Sequence, residues 1–373
     1  MHYIKSKQLI IGAIMDIKDF TKDDVRNVYH FILGREPESE YIVEHYFNSC
    51  CKLSDLLQAF YQSPEFQNKI RKIEPVKEVD NHDRYGLYSG RRIVSLAELD
   101  KELLQAAQAR KISEGDFLKA ISQFYLYRPP PKDYAPWSEE YRRYWQALYE
   151  EIAEKKYSLE NEMYDFDVGL FVKKPYPYCT EDFNVVSEQL IAMGHIVKAL
   201  ALPRGSRILE MGAGWGNISI ILAMMGHKVT VVDMNRKYGS LIQARAEKSS
   251  VHIDFVCSDF AAELPFGCDF DCVLFYESFH HSCDHLALLD SVKKYMADGG
   301  ILALAGEPIS DDVPFDWGIN PGGEALWQMR KHGWFELAFQ EKYILKALTM
   351  KGFSVKKHDC QSLRGVVYVC SKS

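Results

Sequence analysis

"ILEMGAGWGN", residues 208–217, joins an apolar run to a helix-like stretch through three closely spaced glycines. Gly212, Gly214 and Gly216 lack a Cβ, so the backbone can approach a ligand closely where the preceding strand would end. Their G-x-G-x-G spacing differs from the G-x-G-x-x-G spacing typical of dinucleotide-binding loops. Glu210, just before the loop, would repel a pyrophosphate but attract an ammonium group. The stretch therefore favours a ligand with an amino-acid end over NAD.

Acidic residues follow the next two apolar runs of the chain. Asp233 lies near the end of "KVTVVDM", where a carboxylate can accept hydrogen bonds from two ribose hydroxyls. In "CSDF", Asp259 and Phe260 stand where an adenine could be hydrogen-bonded and flanked. An ammonium group, a ribose and a base in this order describe S-adenosylmethionine (SAM). A tight turn without a ligand is the alternative, and the order of loop, Glu210 and Asp233 argues against it.

Short apolar runs alternate with helical patterns from about residue 180 onward. Strands that alternate with helices favour a parallel sheet covered by helices on both faces. Two further runs within "GFSVKKHDCQSLRGVVYVC" (352–370) are joined only by a short loop, which is typical of a hairpin that adds an antiparallel strand. The preceding runs are "RILEM", "KVTVVDM", "VHIDFVC", "FDCVLFY" and "GILALAG". The predicted fold class is α/β with a doubly wound sheet.

Residues 180–373 resemble the class I SAM-dependent methyltransferases in the E-x-G-x-G-x-G loop, the acid closing the second strand and the terminal antiparallel strand. The resemblance implies a seven-stranded, Rossmann-like sheet, SAM as the cofactor and methyl transfer as the activity. In the resembled fold, a segment before the first strand often covers the methionine end of SAM. In "YPYCT" (176–180), Tyr176, Tyr178 and Thr180 either serve there or belong to a plain packed loop. The other residues expected at the cofactor are Glu210, Gly212, Ala213, Gly214, Gly216, Asn217, Asp233, Met234, Asp259 and Phe260.

"FYESFHHSCDH" (275–285) ends the fourth predicted strand with a crowd of titratable groups. The carboxyl ends of the strands form the crevice where open α/β sheets bind ligands. In the resembled strand order the fifth strand is adjacent, which brings Glu307 beside Glu277. His280 or His281 can then remove a proton from an acceptor hydroxyl while a carboxylate orients the ring. The expected catalytic residues are His281, His280, Glu277 and Glu307.

Two other interpretations of this stretch stay open. His281, Asp284 and His285 are permissible metal ligands, and the histidines can also be purely structural. Asp284 stands where it would cap the next helix, and a cation there would face the positive end of the helix dipole. No metal is therefore expected.

The segment between the fifth strand and the last helix would hang over the acceptor side of the crevice. Trp317, Trp327 and Trp334 offer flat faces for sugar or aromatic rings, and Arg330 suits a phosphate or carboxylate. The expected substrate-binding residues are Trp317, Trp327 and Arg330. The alternative is a lid whose tryptophans pack on the domain itself.

Several short motifs indicate which class of molecule would accept the methyl group. "ESFHH", "GEPI", "DWG", "GEALW" and "GWFE" resemble methyltransferases associated with bacterial polysaccharide and glycan synthesis. That resemblance implies O-methylation of a sugar, nucleotide sugar or surface glycan. The alternatives are methylation of a small phenolic or amine metabolite, and a non-catalytic scaffold of the same fold in glycan assembly. A D/N-P-P-Y/F motif is absent after the fourth strand, where "YESF" stands, which disfavours a nucleic-acid substrate.

The N-terminal part reads as short helices. Val25, Val28, Phe31 and Ile32 form an apolar stripe that ends at "LGREP", and Ser54 and Ser63 are candidate N-caps. "LGREP" and "SPEF" resemble a small helical module attached to bacterial enzymes of cell-surface polysaccharide synthesis, which implies glycan-assembly partners. Residues 96–127 and 138–157 look helical again around the proline-rich "YRPPPKDYAPW". The expected organisation is a small helical module (17–75), a helical linker region (76–165) and a methyltransferase domain (166–373).

The amino-acid composition limits the class of protein to which the chain can belong. The 373 residues are 47% hydrophobic and 26% charged, with a net charge of −7, which fits a globular protein rather than a nucleic-acid-binding one. "LIIGAIM" (9–15) is too short to span a membrane, and no signal-peptide cleavage pattern follows it. The nine scattered cysteines, without a C-x-x-C pair, favour reduced thiols in the cytosol.

Overall fold

The structure is a computed structural model that describes most of the chain in two compact units, residues 1–82 and 83–373. The described residues are 20–30, 35–50, 52–61, 63, 85–174, 180–267 and 269–373. The predictions on Phe31, Ile32, Tyr176 and Tyr178 lie outside these residues, as does the Ser54 side chain. None of the helices in the described part is long and apolar enough to cross a membrane.

The first unit contains three described helices, α1 (Lys22–Val28), α2 (Glu40–Ser49) and α3 (Leu53–Tyr61). Thr21 begins α1 through a capping box, because its hydroxyl accepts the N–H of Asp24 while the Asp24 carboxylate accepts the N–H of Thr21. Val25 and Val28 of the predicted stripe are buried in a small core shared by α2 and α3. This unit therefore has a hydrophobic core of its own.

The second unit is built on a seven-stranded sheet. Its strand order is β11-β12-β8-β7-β4-β5-β6, in which β12 runs antiparallel to β8 and β11 and the other neighbours are parallel. The strands are β4 (Arg207–Met211), β5 (Lys228–Asp233), β6 (Ile253–Cys257), β7 (Phe270–Tyr276), β8 (Met296–Ala305), β11 (Phe353–His358) and β12 (Val367–Lys372). The predicted doubly wound sheet with a terminal antiparallel strand is confirmed.

Alternate residues of the central strands pack on opposite faces of the sheet. Ile208 and Val229 face the helices α8 (Phe183–Leu200), α9 (Asn217–Met224) and α10 (Arg236–Lys248). Leu209 and Phe275 face the other layer, which includes α11 (His285–Val292) and α13 (Glu341–Met350). Burial on both faces explains why these strands read as continuous apolar runs.

Residues 85–174 belong to the same unit as the sheet. They form a small antiparallel sheet in the order β2-β1-β3 with helices around it, so strands interrupt a region that was expected to be wholly helical. The elements are β1 (Gly86–Ser89), β2 (Arg92–Val94), α4 (Leu96–Ala106), α5 (Glu114–Ile121), β3 (Phe124–Tyr127), α6 (Glu139–Ala153) and α7 (Val168–Lys173). The expected boundaries were 75/76 and 165/166, whereas the chain divides into its two compact units at 82/83.

Residues 85–174 belong to the same unit as the sheet because α6 carries an apolar stripe. Tyr141 and Trp145 are buried against the insertion that follows β8, which contains β9 (Trp317–Ile319), α12 (Gly323–Lys331) and β10 (Leu337–Phe339). The Tyr141 hydroxyl donates to the carbonyl of Trp317 at 3.0 Å, and the Trp145 ring lies 4.7 Å from Phe315. The stripe therefore completes the core of the sheet unit and covers the insertion above the carboxyl ends of the strands.

Candidate active site

The glycine loop turns directly from β4 into α9. Gly214 and Gly216 have φ of +51° and +69°, a left-handed backbone that favours glycine. A Cβ at Gly216 would lie 2.5 Å from Ile242, whereas nothing lies within 4 Å of a Cβ at Gly214. Gly216 is thus required for close packing of the loop on α10, and Gly214 leaves space for a ligand.

Glu210 and Asp233 end the neighbouring parallel strands β4 and β5, and both are buried. Glu210 accepts a hydrogen bond from the Ser219 hydroxyl. Asp233 accepts one from the N–H of Gly214 at 3.0 Å and one from the N–H of Asn235 at 2.8 Å, on different oxygens. Each carboxylate oxygen has a second lone pair, so Asp233 can accept from a ribose as well.

Burial changes the acidity of this pair. It raises the pKa of Glu210 to about 8 and that of Asp233 to about 6. Within the described residues no lysine or arginine forms an ion pair with either carboxyl. Because a buried charge needs a partner, a ligand that brings an ammonium group would stabilise the ionised form of Glu210. The residues present therefore fit SAM.

One cavity of about 850 Å³ joins the glycine loop to the ends of β7 and β8. Its volume lies within the range of small-molecule sites. The sequence-predicted residues that line it are Glu210, Gly212, Ala213, Gly214, Asn217, Asp233, Met234, Asp259, Phe260, Glu277, His280, His281, Glu307 and Trp327. Gly216 and Thr180 do not line it, and the hydroxyl of Thr180 accepts the N–H of Asp182 at 3.0 Å.

The histidines sit in a 3-10 turn after β7, and Glu307 at the end of β8 holds this turn. The Glu307 carboxylate accepts the N–H groups of Ser278, Phe279 and His280 at 3.0–3.1 Å. It also lies 2.7 Å from His280 Nδ1. With these bonds to three backbone amides, Glu307 is placed to position the turn rather than to take a proton.

His280 lies between two carboxylates, since its Nε2 is 3.3 Å from Oε2 of Glu336. Burial alone would lower the pKa of His280, but the charge and hydrogen bond of Glu307, together with those of Glu336, raise it to about 10. A histidine in this state holds its proton at neutral pH. The expectation that His280 acts as a base therefore has no support in this geometry.

His281 has a different environment. Its Nδ1 lies 3.1 Å from the Phe335 carbonyl oxygen and 3.4 Å from Oε2 of Glu162, while Nε2 makes no hydrogen bond within the described residues. Burial and the neighbouring His280 would lower the pKa of His281, but Glu336 and Glu162 raise it overall. Of the two histidines, His281 is the one with a ring nitrogen available to a substrate.

Residues 208–300, which carry the glycine loop, the acidic pair and the histidine turn, match a known family. That family is described as a methyltransferase domain. Two similar proteins are both named ubiquinone biosynthesis O-methyltransferase. The protein from Xanthomonas campestris pv. campestris is 30% identical over 118 residues, which is 31% of this chain and 48% of the relative. The protein from Dinoroseobacter shibae is 38% identical over 101 residues, which is 26% of this chain and 40% of the relative.

The chain thus spans less than half the length of these two relatives. Among solved structures, the 1,6-didemethyltoxoflavin-N1-methyltransferase of Burkholderia thailandensis was crystallised with 1,6-didemethyltoxoflavin and S-adenosylhomocysteine bound. It is 17% identical, with a TM-score of 0.40, over 52% of this chain and 81% of that chain. The match of residues 208–300 to a methyltransferase domain supports SAM as the cofactor.

Two of the expected substrate-binding residues do not reach the cavity. Trp317 is buried, and its indole N–H donates to the Pro136 carbonyl at 2.7 Å. Arg330 is paired with Asp100 and Glu154. Both side chains tie the insertion to residues 85–174, so they have structural roles. Trp327 and Trp334 do line the cavity.

The metal-ligand set considered from the sequence is not assembled. Asp284 caps α11 by accepting the N–H of Ala287 at 3.1 Å, and it pairs with Arg142. His285 is buried, with Nε2 2.8 Å from the Tyr343 hydroxyl. These bonds direct Asp284 and His285 to structural partners away from His281.

The cavity residues that were missed from the sequence include Glu162, Glu336 and Arg364. Arg364 pairs with Glu277 and with Glu324, and burial raises the pKa of Glu277. Glu336 stands in "GWFE", which was noticed only as part of a resemblance. Nothing in the local pattern around Glu162 or Arg364 indicates a site, because both approach the histidine turn only through the fold.

Proposed function

We propose that the protein is a SAM-dependent O-methyltransferase that methylates a hydroxyl group of a sugar, nucleotide sugar or surface glycan. The observation that carries the proposal is the cavity, in which buried Glu210 and Asp233 lie at one end and the histidine turn at the other. A cationic amino-acid end and a ribose fit the first end. The acceptor then occupies the second.

The lining of the second end supports a polyhydroxylated acceptor. Trp334 offers a flat apolar face, Trp327 is buried and reaches the cavity with part of its ring, and Glu162, Glu277 and Glu336 offer carboxylate oxygens. Sugars present both an apolar ring face and several hydroxyl donors, so this mixture suits them. The second candidate acceptor is a small phenolic or amine metabolite, and the names of the two relatives favour a small metabolite that is methylated on oxygen.

The reaction requires the chain to bind two molecules and to move one proton. Bound SAM supplies an electrophilic methyl group: the new bond to the acceptor oxygen forms as the bond to sulfur breaks, and the electron pair stays on sulfur. Nε2 of His281 is available to take the proton of the acceptor hydroxyl. Glu307 fixes the turn that carries His281, and the insertion with Trp334 limits access of water.

The test is transfer of labelled methyl groups from SAM to fractionated cell-surface glycans, nucleotide sugars and small metabolites. We expect label in a sugar-containing fraction, together with release of S-adenosylhomocysteine. Label only in phenolic or amine metabolites would replace the acceptor class but keep the reaction. Absence of SAM binding in calorimetry would overturn the proposal and favour the non-catalytic scaffold.

A further inference from the structure

The two adjacent histidines are oriented in the same way. Nδ1 of His280 contacts the Glu307 carboxylate at 2.7 Å, and Nδ1 of His281 contacts the Phe335 carbonyl at 3.1 Å. An oxygen acceptor at Nδ1 fixes the tautomer with the proton on that nitrogen. Metal-binding histidines are typically held in this way, with the second ring nitrogen bonded to a carboxylate or a backbone carbonyl. Nε2 of His281 is thereby left for another ligand, and Nε2 of His280 faces the Glu336 carboxylate.

A ring nitrogen of each histidine converges with a carboxylate. His280, His281 and Glu336 each offer one ligand atom, and the three atoms lie within 4.8 Å of one another. His280 Nε2 and Glu336 Oε2 are 3.3 Å apart. Two ligands at about 2.1 Å from one ion and about 100° apart would be separated by about 3.2 Å, so this pair already has the spacing of a chelate.

The charges around the cluster also favour a cation. Glu307, Glu336 and Glu162 are all buried or nearly so, and they surround only two imidazoles. The two arginines that line the cavity are already paired, Arg364 with Glu277 and Glu324, and Arg110 with Glu114. A divalent ion at this place would compensate two of the three carboxylate charges at once.

We propose that His280, His281 and Glu336 bind a divalent transition-metal ion at the acceptor end of the cavity. Two imidazole nitrogens and one carboxylate oxygen suit Zn²⁺, Mn²⁺, Fe²⁺ or Co²⁺ better than Mg²⁺ or Ca²⁺, which prefer oxygen ligands. Three protein ligands leave coordination positions open for a substrate. The role of the ion rests on the proposed function: it holds the acceptor oxygen and lowers the pKa of its hydroxyl, and His281 is then a ligand instead of a base.

The decisive experiment is titration of the full chain, stripped with EDTA and dialysed, with Co²⁺. We expect visible absorption bands that saturate at one Co²⁺ per chain, and competition by Zn²⁺ in calorimetry. His281→Gln and Glu336→Gln should each weaken Co²⁺ binding at least 10-fold. His252→Gln, a change at an exposed histidine outside the cavity, is the matched control and should bind Co²⁺ as the parent does.

Titration of the parent protein tests the proposal even if a variant fails to fold. No saturable Co²⁺ binding up to millimolar concentration would overturn it, as would binding that both cluster variants retain in full while SAM binding confirms that they are folded. Co²⁺ binding without methyl transfer to any acceptor would contradict the proposed function and support the metal site. Methyl transfer by a protein that binds no Co²⁺ would support the proposed function and contradict the metal site.

Discussion

The carboxylate of Asp233 accepts the N–H of Gly214 at 3.0 Å, which ties the end of β5 to the glycine loop after β4. One side chain thus fixes the loop and also faces the cavity. Any change at Asp233 acts on the ligand directly and on the loop around it.

Asp233→Asn should weaken SAM binding by about 2–4 kcal/mol, because charge-assisted hydrogen bonds to two hydroxyls are lost. In this variant an NH₂ group also replaces one carboxylate oxygen, so that two hydrogen-bond donors, this group and a backbone N–H, face each other. Calorimetric titration with SAM measures the effect, with the exposed Asp254→Asn as the control. Unchanged affinity in Asp233→Asn would show that the ribose is not bound there.

The raised pKa of Glu210, about 8, predicts how stability depends on pH. The pKa of Glu210 is higher in the folded state than in the unfolded state, so between these two pKa values the folded state binds more protons. The resulting stabilisation is fully present below the unfolded pKa and is lost as the pH rises toward 8. The melting temperature of the ligand-free protein should therefore fall from pH 5 to pH 8. Glu210→Gln should flatten this slope and stabilise the protein by about 1–3 kcal/mol at pH 8.

The same substitution should weaken SAM binding, because the ammonium loses its anionic partner. Stability and affinity then move in opposite directions, which a purely structural glutamate would not produce. Glu188→Gln, at an exposed position of α8, should change neither. Equal SAM affinity in Glu210→Gln and the parent would contradict the assignment.

His281→Gln should leave SAM affinity nearly unchanged and reduce turnover by about 10²–10⁴-fold, the usual contribution of a positioned proton acceptor. Steady-state rates and calorimetry on the same preparation separate the two effects, with His252→Gln as the control. In the parent protein stripped of metal with EDTA, where His281 is the proton acceptor, turnover should rise with pH through the raised pKa of His281. Full activity of His281→Gln would leave Glu277 as the remaining candidate base.

Local motifs were predictable because contiguous residues determine them. The loop around Gly214, the acid Asp233 at the end of β5 and the position of His280 after β7 all follow from one strand end and its next few residues. The parallel sheet then brings these ends together without further information from the sequence.

The roles of Trp317 and Arg330 were not predictable in this way. Their partners Pro136 and Asp100 lie 181 and 230 residues earlier in the chain. The local sequence therefore suggests two residues that bind a substrate, whereas in the fold both form partly buried structural contacts. Glu336 illustrates the reverse case. It meets His280 only because the insertion after β8 folds back over the histidine turn.

The division of the chain is tested by truncation. Removal of residues 1–82 should leave the second unit folded and able to bind SAM, because Val25, Val43, Leu56 and other described residues of the first unit form a core of their own. Removal of residues 1–155 should give an insoluble or non-binding protein, since it deletes the buried stripe of α6. Solubility and calorimetry with SAM distinguish these outcomes. A soluble, SAM-binding fragment starting at residue 156 would restore the expected linker.

Trp145→Ala isolates the contribution of that stripe within the full chain. The Trp145 side chain is fully buried, and its ring lies where a Cβ on Gly318 would approach it to 2.4 Å, so α6 and β9 are in direct contact at this point. Truncation to Ala should destabilise the second unit by about 3–5 kcal/mol, the usual cost of a large core cavity. Because β9 belongs to the insertion over the acceptor end, methyl transfer should suffer more than SAM binding. Tyr134→Ala changes an exposed residue of the loop before α6 and should lower the melting temperature far less. Equal melting temperatures for Trp145→Ala and Tyr134→Ala would show that α6 does not support the insertion.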